Sequence, residues 1–253
     1  MVAPTPVSAL LHAVAVVKAG VFTVLKVTVY IFGTDFILQS GASDWLVWFA
    51  GATILFASLV AMTKDNLKAR LAYSTVSQLS YIVLGALLAT QASILGSVLH
   101  IAMHAFAKIT LFFGAGAILV AAHKTEISDM AGLGRAMPVT FGAFFIASLS
   151  MIGLPPFGGM WSKWYLAMGT LEAGQWLLLS VLLASSLLNI AYLLPVPVRA
   201  FFGKAVDGTV YTQVREAPAS CLAAMIITSL ACLVLFFYPE PFYQLAMTVA
   251  GAK

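Results

Sequence analysis

The sequence predicts an all-α membrane protein of about seven transmembrane helices, one of them broken at 153–160. Three observations carry that expectation. Hydrophobic residues make up 62% of the chain and charged residues 9%, against about 25% charged in an ordinary soluble domain. The apolar runs are about 20 residues long, enough to cross a hydrocarbon core of about 30 Å. They do not alternate in polarity, as the strands of a membrane barrel would. In lipid every backbone polar group must be satisfied within the protein, so once a barrel is set aside only helices remain.

The predicted spans are 5–32, 45–63, 71–90, 92–122, 138–169, 175–199 and 217–238. Polar or breaker-rich joints separate them at 33–44, 64–70, 90–91, 123–135, 170–174 and 200–216. No soluble domain and no cleavable signal peptide is expected, because Lys18 interrupts the first apolar run and no basic region precedes it. Alternate joints carry Lys64, Lys68 and Arg70, then Lys124 and Arg135, then Arg199, Lys204 and Arg215. The opposite side carries Asp35, Asp44, Glu172 and Glu240, with Lys253 its only basic residue. The positive-inside rule then predicts a multi-pass protein of the cell's inner (plasma) membrane, with a cytoplasmic N-terminus and a C-terminus outside. This scatter of basic residues between apolar runs is a topology signal and does not suggest nucleic acid as a partner.

Four basic residues remain inside spans: Lys18, Lys26, Lys108 and Lys163. Lys26 lies near a helix end, where it can snorkel to the interface. The other three lie deeper, where an ammonium costs about 2.5–3.5 kcal/mol on insertion scales and marks a candidate functional site.

The fourth span holds Ser93, Ser97, His100, His104 and Lys108 at spacings of 4, 3, 4 and 4, which place them on one helix face. From His100 to Lys108 the file covers about 12 Å of axis. Each member can exchange a proton or a hydrogen bond, so the file reads as a proton relay or water-lined path. The plainer alternative is polar glue between helices. Zinc or haem is a weaker reading: no clear carboxylate stands nearby, and a haem would need His12 as its second ligand. No cofactor is therefore expected.

The fifth span contains Pro155, Pro156, Gly158 and Gly159 near its middle. Proline removes a donor and clashes with the preceding turn, which predicts a break. A break at membrane depth is tolerated only in protein or beside a wet cavity, and such interruptions mark transport sites. Lys163 follows directly, placed either to load and release a proton or to cap freed carbonyls. On the third span Ser74, Ser77, Gln78 and Tyr81 form one polar stripe, which either walls a hydrated path or packs; Asn189 and Tyr192 on the sixth span read the same way. Cys221 and Cys232 share one span 11 residues apart and read as packing residues.

Four stretches carry a family resemblance: APTPVSALLHA at 3–13, KARLAYSTVSQLSYIVLG at 68–85, HIAMHAFAKITLFFGAGAI at 100–118 and IGLPPFGGMWSKWYL at 152–166. The chain resembles the antiporter-like proton-conducting membrane subunits of respiratory complex I, membrane-bound hydrogenases and Mrp-type Na+/H+ antiporters. SKWYL at 162–166 and SSLLNIAYLLPVPVRAFFG at 185–203 point to the D-type branch of the Mrp antiporter subunits.

That resemblance implies fourteen helices with two inverted five-helix repeats, of which residues 1–253 look like helices eight to fourteen, a single transmembrane domain with one repeat unit. It implies that Lys108 is the central lysine of the eleventh helix and Lys163 the terminal lysine of the broken twelfth. Lys18 is implied as the connecting lysine of the eighth, and His104 and His100 as relay histidines. The expected function is proton translocation through a Lys/His relay within a multisubunit cation/proton antiporter or NADH dehydrogenase-like complex. The expected partners are other membrane subunits, a chain supplying the missing N-terminal half, the lipid bilayer, and protons with or without Na+ as cargo. The expected proton order is Ser97, His100 and His104 to Lys108, then Lys163. No catalytic redox site is visible, so quinone or NADH chemistry would belong to partner subunits. The rival expectation is a non-conducting structural subunit or a truncated fragment, because Met1 falls inside a motif that is usually continuous.

Overall fold

The computed structural model describes Val7 and residues 15–41, 43–204 and 214–251. Eleven α-helices follow one another among the described residues. They are α1 (Val16–Lys26), α2 (Thr34–Ser40), α3 (Leu46–Thr63), α4 (Leu67–Leu88), α5 (Gln91–Ala122), α6 (Pro138–Ile152), α7 (Gly159–Glu172), α8 (Trp176–Leu193), α9 (Pro195–Phe202), α10 (Ala219–Phe237) and α11 (Glu240–Val249). Five stretches are long and apolar enough to cross a membrane: α3, α4, α5, the α8–α9 run and α10. The protein is thus an all-α membrane protein, as its composition predicts.

The helix ends follow local chemistry. Asn66 caps α4 by accepting from the Ala69 N–H at 3.1 Å, and Thr90 caps α5 by accepting from the Ser93 N–H at 3.2 Å. The α4 cap starts that helix earlier than the sequence suggests, so Lys68 and Arg70 stand in its first turn rather than in a joint. The break of the fifth span is where prolines and glycines place it. Helix α6 ends at Gly153, whose φ of +90° suits glycine, and α7 starts at Gly159. A Cβ on Gly159 would collide with the Ser150 carbonyl oxygen, so only glycine lets the two halves of the span approach this closely.

Two regions depart from the predicted plan. Residues 5–32 read as one straight span, yet α1 passes into a π-helical turn over Val27–Phe32. It then bends by 83° into α2, inside what the sequence offered as an irregular joint. Gly33, at φ +82°, supplies the corner. After α10 a further helix, α11, folds back and packs against α5; no element was expected there.

The polarity of the bundle is that of a protein in lipid. Ile31, Phe49, Phe56, Phe202, Ile227 and Phe237 are exposed around the perimeter, while Ser58, Ser74, Gln78, His104, Lys108 and Asn189 are buried. Helix α5 lies at the centre and packs against α4, α6, α7, α10 and α11. The basic joints meet at one end. There the Ile127 N–H donates to the Asp65 carbonyl at 3.0 Å and the Gly132 N–H to the Arg199 carbonyl at 3.3 Å. At the other end Thr90 Oγ1 donates to the Gly169 carbonyl at 3.2 Å, tying the start of α5 to α7.

Candidate functional site

The α5 file is one buried face, as its spacing predicts. Ser93, Ser97, His100, His104 and Lys108 are all buried, and the face turns toward α4 and α7. Its members differ in what they meet. Ser93 Oγ donates to the Gly85 carbonyl at 2.8 Å and Ser97 Oγ to the Ser93 carbonyl at 2.8 Å, so these two hydroxyls satisfy backbone. His100 Nδ1 lies 2.9 Å from Ser162 Oγ on α7. Both ring nitrogens of His104, and Nε2 of His100, have no partner among the described residues. Lys108 donates to the Leu71 carbonyl at 3.0 Å and to Ser74 Oγ, both on α4.

Lys163 extends from the first turns of α7 back across the break. It donates to the Ile152 carbonyl at 3.0 Å, one of the acceptors that the end of α6 leaves free, and to Ser186 Oγ on α8 at 3.1 Å. Its ammonium also sits 5.4 Å from the centre of the Tyr81 ring, within cation–π range. That ring stacks on His100 with centroids 5.7 Å apart. His100 and His104 are themselves 5.7 Å apart. The histidines therefore stand between the two lysines, His100 beside Lys163 and Lys108 two turns further along α5. The predicted order had placed them ahead of Lys108.

Lys18 makes its hydrogen bond outside this file. Its ammonium is buried and donates to the Ile101 carbonyl at 3.0 Å, on the side of α5 that faces α1. It lines an apolar cleft of about 720 Å³ together with Lys26, Phe22, Phe106 and Phe242. His12 lies outside the described residues.

The α4 stripe divides by partner. Ser74 meets Lys108. Ser77 Oγ donates to the Ile54 carbonyl at 3.0 Å and lies 2.8 Å from Ser58 Oγ. The Tyr81 hydroxyl donates to the Leu182 carbonyl at 3.2 Å. Neither polar atom of Gln78 has a partner among the described residues, and the same holds for Asn189 Nδ2. An unpaired buried polar group costs about 1–3 kcal/mol. The sequence pattern did not single out Ser58, Ser162, Ser185 or Ser186. Only the adjacency of Ser162 to Lys163, and of Ser185 and Ser186 to Asn189, offered a signal, since one serine on an apolar helix reads first as glue.

Residues 1–189 match the family model described as NADH:quinone oxidoreductase/Mrp antiporter, TM. The chain belongs to this family. Among curated members, it is 40% identical over 205 residues to NADH-quinone oxidoreductase subunit N of Desulforudis audaxviator. That match covers 77% of this chain and 41% of the relative, so the chain spans less than half of the relative's length. Among solved structures, it superposes on a chain of the Mrp complex from Dietzia sp. with a TM-score of 0.86 and 22% identity, covering 98% of this chain and 53% of the other. It also superposes on a chain of the membrane-bound sulfane sulfur reductase, an archaeal respiratory membrane complex. There the TM-score is 0.86 and the identity 26%, covering 99% of this chain and 50% of the other. Family membership and fold thus agree with the resemblance carried by the sequence motifs.

Proposed function

We propose that this chain is a proton-translocating membrane subunit in which Lys108 and Lys163 load and release the transported proton. One observation carries the reading. Both ammonium groups lie inside the bundle, and the bonds they make go to backbone carbonyls and serine hydroxyls. Such neutral partners tolerate an amine as well as an ammonium, which is what a proton carrier needs. His100 and His104, standing between the lysines, provide exchangeable sites along the way. Lys18 couples the unit to a neighbouring one through the cleft beside α1, because two ammonium groups about 7–10 Å apart in a low dielectric repel strongly.

The subunit works within a larger membrane assembly. Residues 1–253 correspond to the second half of a longer antiporter-like subunit. The basic end of the bundle, carrying Lys64, Lys124, Arg135 and Arg199, faces the cytoplasm of an inner membrane. The 40% match to a subunit N favours a respiratory complex. The SKWYL motif at 162–166 favours the D-type position of an Mrp antiporter, in which Na+ would be the exchanged ion. A second reading, a structural subunit without conduction of its own, is supported by Lys163 donating to the Ile152 carbonyl that the end of α6 leaves free.

Proton flux into liposomes holding the assembled complex decides between them. Lys108→Ala and Lys163→Ala reduce flux to the leak of the lipid if the lysines carry protons. Unchanged flux in both variants leaves the structural reading standing.

A further inference from the structure

His100 and Ser162 meet where the backbones of α5 and α7 come close together. A Cβ on Gly96, one turn before His100, would stand 2.6 Å from the Leu166 nitrogen and 3.0 Å from the Ser162 carbonyl oxygen. The missing Cβ lets a side chain as short as serine reach across. Ser162 stands in the first turn of α7 after the break, and its Oγ lies 2.9 Å from His100 Nδ1. The same hydroxyl donates at 3.0 Å to the Gly159 carbonyl of its own helix. Tyr81 stacks on the face of the His100 ring at an interplanar angle of 14°. His100 and Ser162 are both buried, and His100 Nε2 has no partner among the described residues.

The number of protons decides how these bonds run. A neutral histidine has one N–H and one bare nitrogen, and a serine has one O–H. With the ring proton on Nδ1, His100 donates to Ser162, Ser162 donates to Gly159, and only the Nε2 lone pair is left unfilled. With the proton on Nε2, Ser162 must turn its hydrogen to Nδ1. The bond to Gly159 is then lost, and a buried N–H is left without an acceptor among the described residues. The first arrangement makes one bond more and strands no donor, and a stranded N–H is the rarer and costlier defect. The geometry points to Ser162 as a positioning residue that holds His100 in its Nδ1–H tautomer, so that the ring takes up and hands on a proton at Nε2 alone.

The consequence for transport rests on the proton-translocation reading above, whereas the tautomer itself does not. An arriving proton forms the Nε2–H bond on the Nε2 lone pair and leaves the ring with one positive charge. The same bond breaks when the proton moves on, and its electron pair stays with Nε2. The Nδ1–H bond to Ser162 is kept throughout, and no other reactant is needed. His104 is different. Neither of its ring nitrogens has a partner among the described residues, so no hydrogen bond there selects a tautomer. His100 thus has one fixed port, and that port is held by the half-helix that carries Lys163.

The test uses the assembled complex in liposomes with isotopically labelled histidine. Solid-state NMR of the ring nitrogens separates an N–H nitrogen from a bare one, and His100→Gln identifies the His100 signals by their loss. Wild type shows N–H at Nδ1 and a bare Nε2, in excess over the other tautomer by about fivefold or more, the population ratio that one net hydrogen bond sets. Ser162→Ala brings the two tautomers close to equality and lowers proton flux by about twofold, because about half of the rings then present the wrong nitrogen. Ser162→Thr keeps the hydroxyl and keeps both wild-type values. A merely structural role would change the yield of assembled complex and leave the ratio of tautomers alone. The wild-type spectrum needs no variant at Ser162, so it decides the tautomer even if Ser162→Ala fails to assemble. A majority of Nε2–H, or an equal mixture, overturns the assignment. An unchanged ratio in Ser162→Ala overturns Ser162 as its cause, and a changed ratio with wild-type flux overturns the port at Nε2. Lys108→Ala in the same assay keeps the two failures apart. Wild-type flux there overturns the translocation reading and the port with it, whatever the tautomer.

Discussion

The histidine file of α5 and the serine hydroxyls where α3, α4 and α8 meet are equally buried and are finished differently. His104 offers two ring nitrogens and finds no partner for either among the described residues. Ser58, with one hydroxyl, lies within bonding distance of the Ile54 carbonyl, Ser77 and Ser185. A group without protein partners depends on water for its hydrogen bonds, so its connectivity comes and goes with hydration. A group with several partners keeps its connectivity and only changes which bond it makes. The most titratable side chains are therefore not the best-connected ones.

The largest expected effect falls on the two lysines at the ends of the histidine file. Lys108→Ala or Lys163→Ala brings flux in the assembled complex down to lipid leak, a loss of about a hundredfold or more, or about 3 kcal/mol of transfer barrier. Next comes Ser74, the hydroxyl partner of Lys108, where Ser74→Ala costs about tenfold; wild-type flux in that variant would remove the serine from the proton path. His104→Leu comes third. It lowers flux by about twofold and raises the thermal unfolding midpoint of the complex, because it removes two unpaired buried nitrogens worth about 1–3 kcal/mol each when unsatisfied. A fall in the midpoint would show that those nitrogens are held by well-ordered water. Thr110→Val has the smallest effect. Thr110 donates at 2.7 Å to Thr228, away from the histidine file and the serine cluster, so flux stays at the wild-type level and stability drops by about 1 kcal/mol, the net worth of one hydrogen bond. A flux defect there would mean that buried hydroxyls matter for packing in general and not for conduction.

Much of the frame was legible in the residues. The apolar runs located the spans, and Pro155, Pro156, Gly158 and Gly159 located the break, because missing donors and missing Cβ atoms act locally. The face of α5 was legible because helical periodicity is local as well. The 83° corner at Gly33 was not, although the glycine was in view: a glycine permits a positive φ without requiring it, and packing decides. Helix α11 escaped notice because ten residues with a polar first turn are too short to read as a span.

Residue order alone was enough for the solvent this protein folds in, for most of its helices and their central break, and for the lysines that stand out in them. Each of these depends on residues within a few turns of one another. Which hydroxyls meet was decided by packing. Ser58, Ser77 and Ser185 lie up to 127 positions apart in sequence, from 58 to 185, and become neighbours because α3, α4 and α8 pack together. A serine carries the same chemistry wherever it stands, and its role comes from the oxygen that another helix sets beside it.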